Sequence, residues 1–86
     1  MSVKLRIEEK LTQVFAPASL TVTDESHLHA GHSGWKEGGE THFRVEITAS
    51  KFSEMSRLAR HRAINDCLAD ELATSVHALA IRAEAE

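Results

Sequence analysis

The eight residues "THFRVEIT" (41–48) constrain this chain most. Thr41, Phe43, Val45 and Ile47 alternate with His42, Arg44, Glu46 and Thr48. A period of two puts the first set on one face of a β-strand and the second on the other. Such a strand needs partner strands and an apolar layer over one face only. The chain has 86 residues, which suits a single domain spanning 1–86. Everything else in it must therefore supply the neighbouring strands and that layer.

The remaining periodicities do so. In "SVKLRIEEKLTQVF", Val3, Ile7, Leu11, Val14 and Phe15 form one apolar stripe of a helix, with Ser2 as its cap and Pro17 beyond its end. "SLTVTD" alternates Leu20 and Val22 with threonines and reads as a half-buried strand. A helix is expected from Ser56 to Leu72 and a last strand over "VHALAIRA". The order is α-β-β-α-β. The first two strands are expected to pair antiparallel. The second and third, joined through a helix, are expected to be parallel by a right-handed crossover. The fold class is α/β (α+β), a three-stranded mixed sheet with helices on one face.

Composition narrows the function. A hydrophobic fraction of 42% and a charged fraction of 27% fit an ordinary soluble domain. A core this small buries only about 60–65% of the unfolded surface, so function belongs on a surface rather than in a deep cavity. The single cysteine, Cys67, excludes an internal disulfide framework and a cysteine-only metal site. Cys67 reads as a small, partly buried packing residue. No stretch approaches the roughly 20 apolar residues that cross a membrane, and the N-terminus is charged rather than signal-like. A cytoplasmic location is expected, with no membrane partner. The net charge of −3 opposes non-specific nucleic-acid binding. Residues 51–62 run the other way, with Lys51, Arg57, Arg60 and Arg62 against Glu54 alone. No nucleophile–base pair or nucleotide loop is visible, so the chain does not read as an enzyme.

The histidines are the other chemical signal. On the helical wheel of 56–72, Ile64, Leu68, Leu72 and Leu58 span one arc, with His61 at its middle and Asn65 inside it. His61 is therefore expected to be a hydrogen-bonded core residue and Asn65 a buried polar group. His42 is expected on the outer, polar face of its strand. His77 falls at the rim of the buried face near the start of the last strand, on rigid backbone. "DESHLHAGHSGW" (24–35) adds His27, His29 and His32 in a polar, glycine-containing loop. Imidazoles suit zinc, copper or iron, yet this spacing without cysteine is not a closed zinc site. Solvated loop histidines and an open metal site both fit. A loop histidine meeting His77 would leave a site incomplete without ligands from another molecule. "GHSG" matches a nucleic-acid clamp tetrapeptide by chance, since it lies between strands. Trp35 suits a stacking surface, a partner contact or the base of its own loop.

Taken in order, "DESHLHAGH", "ETHFRVEI", "RHRAINDCLADEL" and "VHALAI" resemble the BolA family over nearly the whole chain. Together these motifs are highly specific. The resemblance implies a small domain similar to a class II KH fold. It implies a non-enzymatic adaptor that forms a heterodimer with a monothiol glutaredoxin and co-ligates a bridging 2Fe-2S cluster. Such a role belongs to iron–sulfur trafficking or to iron and redox regulation. The glutaredoxin and glutathione would supply thiolates, and this chain His29 and His77. His27, His32 and Trp35 would support those ligands or touch the partner. The alternative implied is a DNA-binding transcriptional regulator of stress or morphology that uses Lys51, Arg57, Arg60 and Arg62. Glu54 stands where many relatives have glycine, which adds a negative charge to that patch. The state of the chain alone is left open between a monomer and a weak homodimer.

Overall fold

A computed structural model describes residues 2–25 and 41–86. Helix α1 (Val3–Phe15) starts where the Ser2 hydroxyl accepts the Leu5 N–H at 3.1 Å. It ends at Ala16, whose φ of 44° is left-handed and returns an N–H to the Thr12 carbonyl. Ile7, Leu11 and Phe15 are buried, but Val14 is 44% exposed. The buried row centres on Leu11, and Val14 sits about 60° around the helix from it.

Strands β1 (Ser19–Asp24), β2 (His42–Ala49) and β3 (Ala78–Ala85) form one sheet in that order. β1 and β2 are antiparallel, and β2 and β3 are parallel, as expected from their connections. Phe43, Val45, Ile47 and Ala49 turn into the core, level with Leu79, Ile81 and Ala83 of β3. Arg44 and Glu46 face outward. The helices line the inner face, with α1 against β1 and α2 (Arg57–Cys67) against β3. A single 3-10 turn, Ser50–Phe52, joins β2 to the loop before α2 and buries Phe52 completely.

The second helix differs from the expected single run. Ser56 caps α2 through the Ala59 N–H, but the helix breaks at Leu68 and resumes as α3 (Ala69–Thr74). Leu72, beyond the break, still packs against the core, whereas Leu58 does not belong to the buried face. The buried line of α2 runs through Ile64 and Leu68, flanked by half-buried Arg60, Ala63 and Cys67. Leu58 is 59% exposed and Asn65 is exposed, while His61 is half-buried beside the sheet edge rather than in the core.

Glu71, three residues past the break, is also turned inward. Its carboxylate is 4% exposed, 2.9 Å from the Lys10 ammonium and 3.9 Å from the Arg6 guanidinium. A buried carboxylate is tolerable only when paired in this way. The Glu71 hydrogen bond holds the Lys10 pKa above its ordinary value of 10.5, against a smaller opposing effect of desolvation. The linked stability is therefore fully present below the unfolded value and lost as pH rises through the higher folded one. As pH rises above 10.5, the urea midpoint of the native chain should fall more steeply than that of Lys10→Met. Parallel curves would mean that the pair contributes nothing.

Candidate site at the histidine edge of the sheet

Because β2 and β3 are parallel, both begin at one sheet edge, and antiparallel β1 ends there. Three backbone hydrogen bonds tie the edge together. Glu25 N–H donates to the His42 carbonyl at 2.7 Å, and His77 and Ala78 N–H groups donate to the Thr41 carbonyl at 2.7 and 3.2 Å. The residues flanking segment 26–40 are thus held beside His77. The Arg44 Nε meets the Glu25 carboxylate at 3.0 Å on the same edge. An adjoining cavity of about 260 Å³ is lined by Glu25, His42, Phe43, Arg44 and Ala78–Ala80.

His77 is exposed and lies just before β3, which starts at Ala78 rather than at the expected Val76. His42 overturns its expectation. It has the strand parity of the polar face, yet it is only 4% exposed. Two contacts help enclose it: its ring lies 5.2 Å from that of His77, tilted by 55°, and Nδ1 is 2.9 Å from the Thr41 hydroxyl. Strand alternation assigns a face but says nothing of what caps the end of that face, so this pairing had no sequence signal beyond two histidines near strand starts. His27, His29, His32 and Trp35 lie outside the described residues. Among the described residues, no group of three or more His, Cys, Asp or Glu side chains is arranged to hold a metal ion. Cys67 is placed near Lys10 and Glu71, and burial pushes its thiol pKa up, the Lys10 charge opposing. It behaves as an ordinary packing thiol.

The basic residues divide into two pairs. The Lys51 ammonium donates to the Val14 carbonyl at the end of α1. Arg60 donates from Nε to the Phe52 and Met55 carbonyls at 3.0 and 3.1 Å, and from Nη1 to Ala83 at 3.0 Å. Arg57 and Arg62 are exposed on α2. A groove of about 300 Å³ runs between Arg57 and His61 on α2 and Ile81–Glu84 on β3. It lies toward the opposite end of β3 from His77, so the two groups of candidate residues do not form one site.

The arrangement defines a class: a small mixed-sheet α+β domain with an open histidine edge and shallow surface grooves. Among the described residues, no helix is long and apolar enough to cross a membrane. Residues 11–86 match the family model described as BolA-like protein, and the chain belongs to that family. It is 52% identical over 82 residues to an uncharacterized protein from a Sinorhizobium species, covering 94% of this chain and 88% of that one. It is 44% identical over 81 residues to the DNA-binding transcriptional regulator BolA of Escherichia coli, covering 94% and 73%. The solved BolA domain of SufE1 from Arabidopsis thaliana superposes with a TM-score of 0.88 at 44% identity, covering 99% and 93%.

Proposed function

We propose that this BolA-like chain is an adaptor that binds a monothiol glutaredoxin and shares a 2Fe-2S cluster with it through His29 and His77. The observation that supports this most is the edge geometry. His77 is an exposed imidazole whose backbone is tied to Thr41, next to the segment that carries His29. A ligand anchored on a strand start is better pre-organised than one on a loop. His77 would offer one ligand and His29 a second, which fits a cluster whose other two, thiolates, come from the glutaredoxin and glutathione. When bound, the cluster supplies one-electron chemistry and a transferable cargo, and imidazole in place of thiolate raises its potential. The chain's own part is to present imidazole nitrogens and to shape the docking edge.

The test is anaerobic mixing with a cluster-loaded monothiol glutaredoxin, followed by visible circular dichroism. The native chain should change the spectrum and saturate at one equivalent, and His77→Ala should abolish most of that change. An unchanged spectrum with the native chain, or an undiminished response from His77→Ala, rejects the proposal.

A second reading, DNA binding, is favoured by the name of the Escherichia coli relative and by exposed Arg57 and Arg62. Each phosphate contact contributes roughly 0.9 to the log–log salt slope, so Arg57→Ala with Arg62→Ala should lower the slope by about 1.8. An unaltered slope removes these residues from any DNA interface.

A further inference from the structure

We propose that His42 is a positioning residue, whose buried ring, tethered at Nδ1 to Thr41, sets the orientation of the His77 imidazole. The inference deepens the cluster-sharing reading, on which the role of His77 rests. The backbone bonds to the Thr41 carbonyl fix only the start of the His77 side chain. Two side-chain torsions remain, and an exposed histidine without lateral support samples several staggered wells. His42 supplies that support. Its ring stands 5.2 Å from the His77 ring at 55°, within the range of tilted aromatic pairs. Thr41 is 2% exposed, and its hydroxyl, 2.9 Å from His42 Nδ1, stops the supporting ring from turning. Thr41 and His42 therefore hold His77 twice, once by its backbone and once by its ring.

An exposure of only 4% separates this role from that of a second surface ligand. His42 faces the polar side of the sheet, where Arg44 and Glu46 are exposed, so the apolar core does not account for its burial. Residues that orient a ligating histidine act through ring packing and hydrogen bonds, and their loss costs about 10–100-fold in metal affinity or activity.

The decisive experiment uses the full chain in two settings. First, in isotope-labelled protein alone, three-bond couplings report the His77 rotamer and cross-relaxation reports the contact between the two rings. The native chain should show one His77 rotamer, His42→Ala should show averaging, and His42→Phe should retain the single rotamer. Thr41→Val should show partial averaging, and it decides the matter if far-ultraviolet dichroism finds His42→Ala unfolded. Second, with cluster-loaded glutaredoxin, His42→Ala should weaken the dichroic response about tenfold or more, and His42→Phe should recover most of it. Unchanged couplings in His42→Ala and Thr41→Val would overturn the proposal. So would a His42→Phe protein that keeps the rotamer but loses the response as fully as His42→Ala, since the imidazole itself would then be required. A His77→Ala protein with an undiminished response rejects the cluster reading alone, because the couplings are measured without glutaredoxin.

Discussion

Replacing Phe52 by alanine is expected to remove about 3–5 kcal/mol of stability, read as a lower urea midpoint. Phe52 is 0% exposed, and its ring lies 5.0 Å from Phe15 at 40°. It fills the corner where β2 turns through Ser50–Phe52 toward α2, over the end of α1. Truncation removes the transfer free energy of the ring and leaves a cavity that two helices and a strand must collapse to fill. A domain of this length has a total stability of roughly 4–13 kcal/mol, so the variant should be marginal at room temperature. Phe52→Leu should recover more than half of the loss. A loss below about 1 kcal/mol for alanine would show that the corner repacks freely.

Arg60→Ala is expected to cost about 2–4 kcal/mol, although Arg60 carries a charge on a helix that reads as basic surface. Its guanidinium holds three carbonyls: those of Phe52 and Met55 in the turn, and that of Ala83 in edge strand β3. Hydrogen bonds from a charged donor contribute about 1.5–3 kcal/mol each at most, and partial exposure lets water replace some of them. Arg60→Lys should restore little, because an ammonium cannot reproduce the planar fork that reaches both turn and strand. Phe52 and Arg60 share the same turn, so the double variant should lose less than the sum of the singles. If Arg60→Ala keeps the native urea midpoint, these bonds are replaced by water at no cost. A DNA-affinity loss in Arg60→Ala would report stability as much as contact, so Arg57 and Arg62 are the informative positions.

The pattern of α2 shows how a local reading goes astray. Its helical wheel assumes one unbroken run from 56 to 72, and on that assumption His61 lies mid-arc. In the structure Leu58 is exposed, while Ala63 and Cys67, on the other side of Ile64, pack against the core. Beyond Leu68, Glu71 meets Lys10, a pair separated by 61 residues that no window of sequence can report. Within β2 the alternation holds from Phe43 to Ala49 and fails at His42, the terminal residue, where His77, just ahead of β3, supplies part of the cover.

What the sequence by itself determined about this protein is its element order, the pairing sense of its strands, its inward strand residues and its family. Periods of 2 and 3.6, a cap such as Ser2 and the connection between successive strands are local or topological properties that each segment carries with it. Only the tertiary structure decided which face of α2 is buried, that Arg60 binds carbonyls, that Glu71 is an internal anion with cationic partners, and that His42 lies under His77. Those outcomes depend on where separate segments meet, because burial and hydrogen bonding belong to the contact rather than to either residue alone.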